Sequence, residues 1–178
     1  IKNIDPRFFK VCNLGKRTPD EYRFWFLKKY VDQIPEQGKI SLFDSAWMSE
    51  LTRLHVSGQI EDEEYEKKIK SVKCFERQLV EDGYLVIKLF LHISKKDQKK
   101  RIESLKSDKN TKWRIGDHDL FQNKNYDTYL ETYKTFIDET DAAYAPWYVI
   151  DGSSENWATL QALDVINEAL DTAFLNSS

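Results

Sequence analysis

The stretch that most limits how this chain folds is Gly38-Lys39-Ile40-Ser41-Leu42-Phe43-Asp44, followed by Ser45-Ala46-Trp47. Apolar residues run straight into a carboxylate and then into small residues. Such a run reads as a buried parallel strand, apolar on both faces, that delivers Asp44 to its carboxyl edge. Open α/β sheets bind ligands outside that edge. An acid placed there can hold Mg²⁺ beside a phosphate chain, directly or through water. The competing role for Asp44 is to cap the helix that follows.

Around this run the chain alternates strand and helix signals. Phe9 to Leu14 is a short strand candidate. Thr18-Pro19-Asp20-Glu21 combines an N-cap threonine, a proline at the first helical position and a glutamate at the third. This capping box predicts a helix from about Pro19 towards Gln33, with Tyr22, Trp25, Phe26 and Tyr30 as its core face. Residues 46 to 54 carry an ambiguous pattern. Glu61 to Glu64 open a helix that should reach Asp82-Gly83, and acids followed by Lys67, Lys68 and Lys70 suit a solvated helix face. Tyr84 to Ile93 is the strongest strand signal, and Ser94 caps the next helix. After a polar stretch from Asp108 to Asp119, apolar residues from Tyr126 to Ile137 mark a long amphipathic helix. Trp147 to Asp151 is the last strand, and Ser153 or Ser154 caps a closing helix. Strands separated by helices imply βαβ units and a parallel sheet, hence α/β, in one domain spanning residues 1–178.

At 178 residues, 40% hydrophobic and 32% charged, the chain can bury a real core. A net charge of −3 gives no global sign of nucleic-acid or membrane binding, so a polyanion would need a local basic patch. The longest apolar run, Tyr84 to Ile93, is interrupted by Lys88 and too short to span a bilayer. Cys12 and Cys74 form no CxxC and read as free thiols of a reducing cytoplasm. His55, His92 and His118 are scattered, without HExxH or tetrahedral zinc spacing, and no GxSxG elbow supports a serine nucleophile. From Lys95 through Lys99, Lys100, Arg101, Lys106, Lys109 and Lys112 to Arg114, cations outnumber Asp97, Glu103 and Asp108. That balance fits either a solvated surface or a flap that closes over a polyphosphate chain. Trp113 amid these charges points to something on which it packs or stacks. Gly15-Lys16-Arg17-Thr18 echoes the end of the phosphate-loop pattern GxxxxGK(S/T), but Lys10 stands where the first glycine is required, so the match is false.

Taken in order, the landmarks form a recognisable series. They are Gly38 through Phe43-Asp44 with Trp47; Phe75-Glu76-Arg77 leading to Gly83; Lys88; Gln98 with Arg101; Asp108 with Trp113-Arg114 and Asp119; and Thr140 with Ala145-Pro146-Trp147-Tyr148-Val149 and Asp151. Over essentially its whole length the chain resembles the polyphosphate kinase 2 family, which moves phosphoryl groups between inorganic polyphosphate and nucleotides with Mg²⁺. The resemblance implies a phosphate-loop-kinase fold: a parallel five-stranded sheet between helices, with a helical lid at about residues 95–120. It casts Asp44 as the acid serving Mg²⁺ and the phosphates, and Arg101 as the first of two lid arginines. Lys106, Lys112 and Arg114 are further phosphate-binding candidates, while Glu76, Lys88, Trp113 and Asp119 take supporting roles. Ligands would be inorganic polyphosphate and a nucleotide such as AMP or ADP, in the cytoplasm, with neither nucleic acid nor membrane as partner.

The sequence also departs from the family pattern. After the strand acid the family has Arg-Ser-Trp-Tyr, where this chain has Ser45-Ala46-Trp47-Met48. Leu105 stands where the second lid arginine is expected, and Lys109 and Thr111 replace the proline and lysine of an Asp-Pro-x-Lys-x-Trp segment. A transition-state arginine is worth about 10³–10⁵ in rate, so the resemblance implies a degraded, supporting copy. Such a copy would work beside a second domain of the same family or within a homo-oligomer. An active polyphosphate:AMP/ADP phosphotransferase and a non-catalytic binding module on the same fold are the alternatives. Ile1-Lys2 aligns just after the family's glycine-rich loop, so the first strand and that loop are expected to be missing from this chain. Two strand edges would then face a gap unless another segment fills it.

Overall fold

The computed structural model describes residues 5–175, so the Ile1-Lys2 segment lies outside the described residues. The chain forms two compact units divided between Lys68 and Ile69. In the first unit, strand β1 (Phe9–Cys12) pairs in parallel with β2 (Ile40–Phe43), Val11 opposite Leu42 and Cys12 opposite Phe43. The helices are α1 (Lys28–Val31), α2 (Trp47–Val56) and the start of α3 (Asp62–Glu81). In the second unit, β3 (Lys88–His92) pairs in parallel with β4 (Trp147–Asp151), from Lys88 opposite Trp147 to His92 opposite Asp151. Here the helices are the rest of α3, α4 (Lys95–Ser107), α5 (Asp117–Lys124), α6 (Tyr126–Thr140) and α7 (Glu155–Leu175). Among the described residues the four strands make two separate two-stranded sheets, where the resemblance implied one of five strands.

Each unit buries apolar side chains. In the first, Phe26, Leu27, Tyr30, Trp47, Leu51 and Leu54 are buried, with the Tyr30 and Trp47 rings edge to face at 5.5 Å. In the second, Val72, Phe75, Tyr129, Phe136 and Ile150 are buried. Trp47, Leu51 and Leu54 recur at i, i+4 and i+7 and turn one stripe of α2 inward, which resolves the ambiguous segment as a helix.

Several expectations need correction. The capping box forms, since Glu21 accepts from the Thr18 amide at 2.6 Å and Thr18 Oγ1 accepts from the Glu21 amide at 3.4 Å. The helix it should start is nonetheless only a 3₁₀ turn, Glu21–Arg23. Phe24 is extended at φ −110°, ψ 165°, and helix resumes only at Lys28. Aromatic residues are mediocre helix formers. The break also lets Phe26, Leu27 and Tyr30 be buried while Tyr22 and Trp25 are half exposed instead of joining the core. The strand expected over Tyr84–Ile93 shortens to Lys88–His92. Tyr84 donates to the Leu79 carbonyl and Gly83 adopts φ +87°, so the chain is still leaving α3. The polar stretch after Asp108 contains a 3₁₀ turn, Lys112–Arg114, and the start of α5. β2 is not buried on both faces: Ile40 is 41% exposed. With only one hydrogen-bonded neighbour, a strand has less of its surface covered.

Candidate functional site

Asp44 follows β2 directly. Its amide extends the ladder by donating to the Cys12 carbonyl at 3.0 Å, and its exposed carboxylate accepts from Asn13 Nδ2 at 3.4 Å. Ser45, the next residue, has φ +58°, a left-handed conformation that non-glycine residues rarely adopt. The N-cap of α2 is Ala46, and no side chain makes a cap bond there. The capping role therefore does not belong to Asp44, which leaves its carboxylate presented at the carboxyl end of a parallel pair.

The first unit also holds a cluster that the sequence did not advertise. Glu50, buried on α2, receives Arg17 Nε at 2.7 Å, Lys29 Nζ at 2.9 Å and the Tyr30 hydroxyl at 2.9 Å. Burial and the neighbouring Glu50 push the Tyr30 phenol far above its ordinary range, so it serves as a fixed donor. Lys29 also donates to the Gly15 carbonyl. Arg17 had drawn notice only within a false phosphate-loop match. The signal that would have revealed Glu50 is its position at i+3 in the Trp47, Leu51, Leu54 stripe, an acid on an apolar helix face.

The second unit holds the other predicted residues. Lys88, on β3, and Glu76, on α3, form a buried ion pair at 2.7 Å, with side chains 4% and 0% exposed. The ammonium also donates to the Thr140 carbonyl at 2.8 Å and sits 5.1 Å from the Trp147 ring. This pair ties three elements together. At the carboxyl edge of β3 and β4, His92 Nε2 meets the Tyr126 hydroxyl at 2.8 Å, and that hydroxyl donates to the Ile93 carbonyl. Arg101 on α4 donates through Nη2 to the carbonyls of Gly152 and Ser153 at 2.6 and 3.0 Å. Backbone and side-chain hydrogen bonds from Ser153 hold the Asp151 carboxyl below the usual range, with His92 adding a smaller pull.

Lys106, Lys112 and Arg114 are exposed. The turn carrying the last two packs against α4. Trp113 does not pack: it is 79% exposed, with its indole N–H donating to the Asn110 carbonyl at 2.7 Å. Asp119 accepts from the Gly116 amide at 2.8 Å and so caps α5. Among the described residues no group of three or more His, Cys, Asp or Glu is placed to hold a metal ion. The donor set at Asp44, one exposed carboxylate, fits Mg²⁺ of the kind that keeps several waters and arrives with substrate phosphates.

The chain as a whole is similar to known proteins. The chain is 31% identical over 170 residues to a polyphosphate:AMP phosphotransferase of Pseudomonas syringae pv. tomato, covering 96% of this chain and 34% of that one. It is 29% identical over 154 residues to an AMP/ADP-polyphosphate phosphotransferase of Meiothermus ruber, covering 86% and 57% respectively. The chain thus spans between a third and three-fifths of the length of these relatives. In three dimensions it matches the crystal structure of polyphosphate kinase 2 from Arthrobacter aurescens TC1 with a TM-score of 0.90 at 26% identity, over 94% of this chain and 59% of that one. A putative polyphosphate kinase 2 from Pseudomonas aeruginosa PA01 shares the fold, with a TM-score of 0.93 at 23% identity, over 98% and 38%. The α/β fold expected from the resemblance is therefore present, with parallel strand pairs and helices. A family model for polyphosphate kinase 2 matches residues 1–177, and the chain belongs to the polyphosphate kinase 2 family.

Proposed function

We propose that this chain is a polyphosphate–nucleotide phosphotransferase domain with reduced catalytic equipment, supporting an active partner domain or subunit. The observation that carries this reading is the setting of Asp44. Its carboxylate bonds to Asn13, it has no ion pair among the described residues, and Ser45 and Ala46 follow where the family has Arg-Ser. Mg²⁺, when bound, would neutralise phosphate charge, and Asp44 is the residue to hold it directly or through water. Lys106, Lys112 and Arg114, with Lys109, offer cations to a polyphosphate chain from the proposed lid at about 95–120. Arg101 binds main-chain carbonyls through one nitrogen and so fixes α4 beside the end of β4. Glu76 and Lys88 stiffen the scaffold. Ligands are inorganic polyphosphate and AMP or ADP, and the setting is the cytoplasm; among the described residues no helix is long and apolar enough to cross a membrane.

One observation favours an active enzyme instead. Ser45 at φ +58° places backbone strain beside the acid, and such strain gathers at catalytic sites. Polyphosphate-dependent phosphorylation of AMP and ADP by the full polypeptide, with Mg²⁺, separates the two readings. A supporting copy predicts that Asp44→Ala changes the rate by less than about twofold, while a loss of roughly 10²-fold or more would make Asp44 the working centre.

A further inference from the structure

Between β3 and α6 the chain makes a helical excursion, residues 95–124, that carries the cations from Lys95 to Arg114. Within this arm α4, the 3₁₀ turn at Lys112–Arg114 and α5 pack on one another, and α5 also packs on α6. The arm leaves β3 through Ser94 and returns at Asn125, so contacts between these two stems set its stance.

One hydroxyl joins the stems. Tyr126 Oη donates to the Ile93 carbonyl at 2.7 Å, and His92 Nε2 lies 2.8 Å from the same oxygen. A phenol has a single proton to give, so the imidazole is the donor and Nε2 carries its hydrogen. Burial, ahead of the nearby Asp127, holds the Tyr126 phenol above its ordinary range and keeps that proton in place. Ile93 is confined from a second side. A Cβ on Gly152 would lie 2.9 Å from Ile93 Cγ2 and 3.2 Å from the His92 carbonyl oxygen, to which the Gly152 amide donates at 2.8 Å. The Lys95–Asp127 ion pair also bridges the stems, but both side chains are exposed, and such pairs contribute little.

We propose that His92 and Tyr126 are positioning residues: their bond, closed on the Ile93 carbonyl, fixes the stance of the 95–124 arm and with it the grip of the arm's cations on a polyphosphate chain. An arm held in place spares the cost of ordering it when the phosphates arrive. The proposal rests on the polyphosphate reading given above and deepens it by naming the residues that aim the cations.

Amide hydrogen exchange over residues 95–124 of the full polypeptide, with and without polyphosphate, tests it. Tyr126→Phe keeps the ring and removes only the hydroxyl. Without polyphosphate it should speed exchange across the arm. With polyphosphate it should raise the concentration that half-protects the arm by roughly three- to tenfold, as one or two lost hydrogen bonds would. His92→Ala should act alike, and His92→Gln, which keeps an amide N–H in reach, should recover most of the loss. In a background carrying Lys106→Glu and Lys112→Glu, Tyr126→Phe should add less than about twofold, because the cations it aims are gone. A residue that only stabilised the fold would weaken both backgrounds alike. If circular dichroism shows that His92→Ala does not fold, Tyr126→Phe and His92→Gln decide. An unshifted protection curve in Tyr126→Phe overturns the proposal, as does an equal loss in both backgrounds or a parent arm that polyphosphate does not protect. Absence of polyphosphate-dependent turnover, with the protection curve shifted as expected, would sink the phosphotransferase reading and leave the positioning role standing. Turnover with an unshifted curve would do the reverse.

Discussion

Lys88 shows what a supporting role comes down to at a single residue. A lysine inside an apolar strand needs a buried partner, and its ammonium spans Glu76 and the Thr140 carbonyl with almost no exposure. Removing one partner of a buried ion pair leaves the other charge stranded and costs about 3–5 kcal/mol, whereas replacing both by apolar groups is often close to neutral. Lys88→Met should therefore lower unfolding stability in urea by about that amount, and Glu76→Leu together with Lys88→Met should recover most of it. A small loss in the single variant would show that the pair contributes little. Arg17 was not legible in this way. It lay in a glycine-lysine echo without significance, and its interest comes from Glu50, 33 residues further on.

Among the elements, α4 is the clearest case of local chemistry read correctly. Ser94 Oγ accepts from the Asp97 amide at 3.1 Å and donates to the Asp97 carboxylate at 2.7 Å. Ser94→Ala should cost about 1 kcal/mol of helix stability, seen in thermal melts of the full polypeptide. The same serine, as the main cause, holds the Asp97 carboxyl below its ordinary 3.8. A depressed carboxyl stabilises the fold above its unfolded value and loses that contribution as pH falls through the lower folded value. Acid should thus fray the start of α4 below about pH 4, and Ser94→Ala should return Asp97 towards the ordinary range in a carboxyl NMR titration. An unchanged titration would sever the link. The Thr18–Glu21 box was as legible and its bonds form, yet the helix stopped after one turn. A cap specifies where a helix starts; its length is set by what the following residues can bury.

For the whole molecule, a net charge of −3 conceals a cationic surface on α4 and the turn after it. Exposed charges act over about 10 Å at 0.1 M salt and about 3 Å at 1 M. Lys106→Glu with Lys112→Glu should therefore weaken polyphosphate retention most at about 0.05 M salt, the gap to the parent narrowing towards 1 M. Equal retention at low salt would remove these cations from the phosphate surface.

From the amino-acid order alone came the α/β class, the order of nearly all the elements, the family and the position of Asp44 at a strand's end. These follow from signals a few residues long: apolar period, caps, turn glycines and a run of landmarks. Tertiary structure alone decided that Arg17 turns inward to Glu50, that Lys88 reaches Thr140 across 52 residues, and that Arg101 binds the Gly152 and Ser153 carbonyls. It also left Trp113 open to solvent. Such pairings depend on which faces meet when helices pack on strands, and local patterning does not specify the partner of a charged side chain so far along the chain.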